Sequence, residues 1–239
     1  MKVCERVCEN VSEALQNKQF PLVLAGDHST AHGTIAGIKK SDPEKKVGVV
    51  WIDAHADLNT PYTSPSGNIH GMSLAATLCL DNIKHADYDS DEETYYKWKQ
   101  LQKIGGNYPA EEKFIEENNI KNFPVNEIRE KGGNKLSDEI LNSLKHCDLI
   151  YLSFDVDSLD PNISSGTGTP VENGLQVEET KQLITSLLQN EKICCFEVVE
   201  VNPTLDDKKN KMADEAFGIL EKACEVVGSD SYDRIQNEV

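Results

Sequence analysis

Three short segments of this 239-residue chain concentrate side chains able to bind cations: Ala25-Gly26-Asp27-His28-Ser29, Asp53-Ala54-His55-Ala56-Asp57 and Ser153-Phe154-Asp155-Val156-Asp157. In an extended segment alternate side chains point the same way, so Asp53, His55 and Asp57 can converge on one spot. Asp155 and Asp157 repeat the device, and His28 adds a second imidazole. Carboxylates can bridge, so four carboxylates and two imidazoles can hold two divalent cations. That donor set suits manganese better than zinc or iron, and the absence of a thiolate from the motifs argues against a structural zinc. A water held by two such cations ionises near neutral pH. It can then attack an electrophilic carbon without any Ser or Cys nucleophile, with Asp57 placed to hydrogen-bond it and pass its proton on. A lone Asp-x-His is more often a cap or turn than a ligand. Three motifs recurring at strand ends are hard to explain as caps.

The elements that must position these residues follow from hydrophobic patterning. Val3, Val7, Val11, Ala14 and Leu15 recur at helical spacing and predict an opening amphipathic helix. Residues 21–25, 47–52, 149–154 and 193–199 are short apolar runs, which predict buried strands. They stop at Gly26-Asp27-His28, at Asp53, at Asp155 and at Glu200. Helical patterns lie between them, at about 30–40, 175–189 and 211–227. The alternation predicts an α/β protein with three α-β-α layers and a mostly parallel sheet. Open sheets of that kind bind ligands outside the C-terminal ends of the strands, where all four runs deliver polar residues. Residues 81–133 lack a convincing strand, and their acidic run from Asp87 to Glu93 reads as a solvated face.

Composition narrows the classes. Hydrophobic residues make up 38% and charged residues 27%, enough for a packed core. With 24 basic against 41 acidic residues the formal charge is −17, which argues against nucleic acid or an anionic membrane as partner. No apolar run reaches the roughly 18 residues that span a bilayer. The seven cysteines form no metal-type pair and suggest reduced thiols in a cytoplasmic protein.

These motifs resemble those of the ureohydrolases, and among them the arginase family most closely. The resemblance rests on the three ligand segments, on Glu200-Val201-Asn202-Pro203, and on the loop from Asn59 to Gly71, Asn-Thr-Pro-Tyr-Thr-Ser-Pro-Ser-Gly-Asn-Ile-His-Gly. It covers most of residues 18–80 and 120–228. It implies one arginase-like domain over residues 1–239 that binds two Mn2+ ions. One ion would be held by His28, Asp53, Asp57 and Asp155, the other by Asp53, His55, Asp155 and Asp157. The resemblance further implies that Asn59 and Ser66 bind a substrate α-carboxylate and that His70 transfers protons. Glu200 would pair with a guanidinium, and Thr169 would line the pocket. The implied reaction is hydrolysis of L-arginine, a small cationic guanidino substrate, to L-ornithine and urea by a homo-oligomer, trimer or hexamer. Agmatine or another guanidino compound is the alternative substrate. A truncated, metal-binding but inactive form is a further alternative, and a mononuclear zinc deacetylase-like relative another.

Three departures from the pattern stand out. The chain opens at a helix, so the N-terminal strand of the family is expected to be missing. Ala25 replaces the first glycine of Gly-Gly-Asp-His. A mid-chain strand with the acidic segment that reads a substrate α-amino group is also expected to be missing. Residues 104–112 run almost directly into the next helix, leaving Glu111 as the candidate substitute.

Overall fold

A computed structural model of the chain describes residues 1–104, 120–207 and 209–237, with side chains as far as 228. Two compact units can be described. The first comprises Met1–Pro21, Asp27–Lys45 and His55–Asn122, and the second comprises Leu22–Gly26, Lys46–Ala54 and Phe123–Val239.

The second unit is built on a parallel sheet of β1 (Leu22–Leu24), β2 (Val47–Ile52), β3 (Leu149–Asp155) and β4 (Ile193–Val199), in the order β1-β4-β3-β2. The register sets Ile52 beside Phe154 and Asp155 beside Val199, so these strands end nearly level. Tyr151, Leu152, Phe154 and Phe196 are fully buried on the two central strands. The same unit holds α5 (Val125–Lys131), α6 (Gly133–Ser143), α7 (Val177–Leu188) and α8 (Lys211–Asn237). A capping box starts α7, where Glu179 accepts the Gln176 N–H. Leu183, Ile184, Leu187 and Leu188 bury its apolar stripe. The edge strand β1 departs from expectation. It spans only three residues, and Leu22 and Leu24 are exposed, Leu24 by 64%.

The first unit packs α1 (Lys2–Gln16), α2 (Thr30–Ser41), α3 (Ser73–Thr77) and α4 (Glu92–Leu101). Here the buried face of α1 differs from the predicted stripe. Cys4, Cys8, Val11 and Ser12 are buried, whereas Val3 is exposed. The reason is close helix approach. A Cβ on Gly33 would lie 2.8 Å from Cys4 Cα, and one on Gly37 would lie 2.7 Å from the Cys8 carbonyl oxygen. Two glycines one turn apart on α2 form a trough that receives the Cys4 and Cys8 backbone and, beside Gly37, the Val11 side chain. Cys4 and Cys8 join Ala36, Met72, Ala75, Ala76, Trp98, Leu101 and Ile104 in one buried cluster.

The acidic run is exposed, but part of it has a structural task. Asp91 caps α4 by accepting the Thr94 N–H at 2.7 Å, and Glu92 and Glu93 lie in the first turn, where the helix dipole favours negative charge. Among the described residues no helix is long and apolar enough to cross a membrane.

Candidate metal centre

Each strand end carries its own polar residues. After β1 the chain turns at Asp27, whose carboxylate takes both the N–H and the hydroxyl of Ser29, so this acid serves the turn. His28 follows and is 1% exposed. Its Nδ1 lies 3.2 Å from Asp57 Oδ2, and its carbonyl accepts the Ser73 hydroxyl at 2.8 Å.

After β2 come Asp53, His55 and Asp57. Trp51 donates its indole N–H to Asp53 Oδ2 at 2.9 Å. His55 is exposed and Asp57 is buried. Asp57 has a left-handed backbone, φ 50°, and its carbonyl accepts the N–H groups of Leu74 and Ala75 at 3.1 and 3.2 Å. The start of α3 thereby locks a conformation that a non-glycine residue seldom adopts.

After β3 the side chains of Asp155 and Asp157 are almost wholly buried. Asp155 Oδ1 accepts the Asp157 N–H at 2.8 Å. Asp157 Oδ1 accepts the Ala54 N–H at 3.3 Å, and its Oδ2 accepts the Thr169 hydroxyl at 3.0 Å. Glu200, after β4, is the second left-handed site residue, φ 66°, and its N–H donates to the Gly26 carbonyl at 2.7 Å.

Two trios of side chains place their ligand atoms within 4.8 Å of one another: His28, Asp53 and Asp57, and Asp53, His55 and Asp157. Asp53 belongs to both. The donors are carboxylate oxygens and imidazole nitrogens only, a set that suits a divalent cation of the manganese type. Burying carboxylates such as Asp155 and Asp157 is costly unless positive charge or hydrogen bonds compensate. The residues present therefore fit a metal site. Asp155 lies in neither trio, and neither do Asn59, Ser66, His70, Thr169 or Glu200.

These other predicted residues sit mainly on one ordered loop. Asn59 is exposed, and its Oδ1 accepts the Thr63 hydroxyl at 3.2 Å while its N–H donates to the Gly71 carbonyl at 3.1 Å. The exposed Ser66 accepts the Asn68 N–H at 3.2 Å, beside Gly67 with φ 69°, a value glycine takes without cost. His70 is half-buried at the start of a 3-10 turn and its carbonyl accepts the Ser73 hydroxyl. Glu111 lies outside the described residues.

Sequence reasoning passed over three supports. Trp51 holds Asp53, a contact that a Trp-x-Asp spacing on one strand face could have suggested. Asp81 accepts from Trp98 and Lys99 on α4, while its carbonyl accepts the Thr60 hydroxyl and the neighbouring Asn82 amide donates to the Leu58 carbonyl. This ties α4 to the loop that carries Asn59. Glu197, fully buried on β4, accepts the Tyr151 hydroxyl at 2.7 Å, and burial with that carboxylate pushes the Tyr151 hydroxyl far above its usual range.

Comparison with known proteins accords with this geometry. The Arginase family model matches residues 1–224. The arginase of Bacillus subtilis strain 168 is 42% identical over 219 residues, covering 91% of this chain and 73% of that protein. The arginase of Bacillus caldovelox is 38% identical over 234 residues, covering 90% and 72%. The crystal structure of arginase from Bacillus cereus superposes with a TM-score of 0.76 at 37% identity, covering 92% of this chain and 76% of that one. The fold is thus the three-layer α-β-α class of the ureohydrolase superfamily, with an Asp/His cluster at strand ends that could hold metal. The chain belongs to the arginase family and is a hydrolase acting on a guanidino C–N bond.

Proposed function

We propose that the chain is a binuclear manganese hydrolase that converts L-arginine and water to L-ornithine and urea. The observation that carries this reading is the sharing of Asp53 by the two ligand trios, since one carboxylate common to both is what a pair of adjacent cations requires. His28, Asp57 and Asp155 would complete one ion's ligands with Asp53. His55, Asp155 and Asp157 would complete the other's. When bound, the cations supply Lewis acidity that makes water nucleophilic near neutral pH.

This chain's own residues do the rest. The Glu200 carboxylate orients the planar guanidinium by charge-assisted hydrogen bonds. Asp57 accepts a hydrogen bond from the attacking water and takes up its proton. Oxygen adds to the guanidinium carbon, the bond from that carbon to the substrate's side-chain nitrogen breaks, and the departing amine takes a proton. His70 delivers it as the general acid. Asn59 and Ser66 bind the α-carboxylate, and Thr169 lines the pocket with its hydroxyl on Asp157. We further propose a cytoplasmic homo-oligomer, trimer or hexamer, on the family resemblance, to be checked by light scattering.

The test is urea release by the purified chain after incubation with Mn2+, from arginine and from agmatine in parallel. Release from arginine alone supports the proposal. Release from agmatine moves the substrate to the decarboxylated compound, for which the Asn59–Ser66 loop has no carboxylate to bind. Metal bound without release from either overturns the activity.

A further inference from the structure

Residues 58 to 60 are anchored by the short stretch that follows α3. The Asp81 carbonyl accepts the Thr60 hydroxyl at 2.9 Å, and the Asn82 amide donates to the Leu58 carbonyl at 3.1 Å. Both neighbours of Asn59 are thereby pinned to one turn, in which Asn82 has a left-handed backbone, φ 53°. Thr60 is fully buried, while Asn59 between the two anchors is exposed. The same hydrogen bonds decide which way the Asn59 amide faces. The Thr63 hydroxyl accepts the Thr60 N–H at 2.9 Å and gives its own proton to Asn59 Oδ1 at 3.2 Å. With its oxygen so engaged, Asn59 offers its NH2 group, a donor suited to a carboxylate.

The anchor is itself gripped by α4. The Asp81 carboxylate accepts Trp98 Nε1–H at 3.1 Å, Lys99 Nζ at 2.7 and 2.6 Å, and Gln102 Nε2 at 3.4 Å. Trp98 belongs to the buried cluster, so its bond ties Asp81 to the core of the first unit. The Lys99 and Asp81 side chains are 29% and 24% exposed, and a partly buried pair is screened less than a surface one. Gln102 also donates to the Leu80 carbonyl at 3.2 Å and accepts from Lys99 at 3.0 Å.

We propose that Asp81 is a positioning residue for recognition of the substrate's carboxylate end. Held by Trp98, Lys99 and Gln102, it fixes the chain on either side of Asn59, so the amide meets the carboxylate already oriented. Preorganisation of this kind acts on binding. Its loss therefore raises KM and spares kcat. The proposal rests on the reading that Asn59 binds an α-carboxylate.

The test is urea release from arginine by the Mn2+-loaded chain, with KM and kcat compared among four proteins. These are the unaltered chain, Asn59→Ala, Asp81→Ala and the double variant. Asn59→Ala should raise KM about 10- to 100-fold, the worth of a hydrogen bond to a charged group. Asp81→Ala should raise it about 3- to 10-fold, a part of that bond, with kcat kept within about twofold. In the double variant KM should match that of Asn59→Ala alone, because residues that act through one contact are not additive. Additive effects, or an unmoved KM in Asp81→Ala, overturn the role of Asp81 and leave the substrate reading standing. An unmoved KM in Asn59→Ala, or no urea from the unaltered chain, overturns that reading and the proposal with it. Should Asp81→Ala fail to fold, Lys99→Met takes its place in the same cycle. A raised KM whose effect disappears in the Asn59→Ala background then supports the proposal, and an unmoved KM refutes it.

Discussion

At the scale of single residues, the strand-end carboxylates differ from the surrounding polar groups in how little freedom they have. Asp155 is 2% exposed with one oxygen already fixed by the Asp157 N–H. Asp155→Ala should therefore abolish urea release and cut metal content while leaving the circular dichroism spectrum intact. Near-normal activity would refute the assignment. His70 is on the loop and outside both trios, so His70→Asn should slow turnover by about 10²- to 10⁴-fold, the range of general acid–base catalysis, with metal content unchanged. His32 belongs to the scaffold. Its Nε2 lies 2.7 Å from the Leu101 carbonyl and its Nδ1 lies 3.1 Å from the Thr77 hydroxyl. Burial lowers its pKa below the ordinary 6.5, the Leu101 carbonyl only partly offsetting it. The unfolded chain thus binds this proton more readily than the folded one. The stability from the neutral ring is complete above pH 6.5 and is lost as pH falls below that toward the folded value. Urea melts between pH 7 and 5 should show that slope in the unaltered chain and a shallower one in His32→Gln.

At the scale of elements, the contact of α1 with α2 depends on glycine. Gly33→Ala would force a methyl group against the Cys4 backbone, which flexible side chains cannot relieve. The expected cost is about 1–3 kcal/mol, typical of overpacking, seen as a lower denaturation midpoint with an unchanged slope. The same contact explains what the sequence concealed. Hydrophobicity ranks valine above cysteine, so the pattern assigned Val3 and Val7 to the buried face. The glycine trough draws the Cys4 and Cys8 backbone onto α2, so these two positions face inward, while Val11 of the predicted stripe stays buried beside Gly37. By contrast the four strands were legible to within a residue or two, because each is a short apolar run cut off by a polar ligand-type residue. The acidic run is the solvated face its composition predicts, but Asp91 within it also caps a helix. Its capping role depends on where α4 starts, which composition does not reveal.

At the scale of the whole molecule, the Asp/His cluster of His28, Asp53, His55, Asp57 and Asp157 was legible because strand ends and side-chain chemistry agree at several separate places in the chain. What the sequence did not disclose are the partners of those ligands, Trp51 for Asp53 and Thr169 for Asp157, since hydrogen bonds on a carboxylate follow from packing. If the ligands bind metal in the folded state alone, binding is coupled to stability. Chelation should then lower Tm in a scanning calorimeter. At metal 100-fold above Kd one site contributes about 2.7 kcal/mol, or about 5–10 °C for a chain of this size. A Tm indifferent to both chelator and Mn2+ would count against a metal-dependent native state.

Asp57 and Glu200 share one property that outlasts any assay. Both hold a left-handed backbone at positions where glycine would sit without strain, and both carry a carboxylate there instead. Replacing either with glycine would relax the chain and delete the acid, so at these two positions mutation toward stability and mutation toward silence coincide.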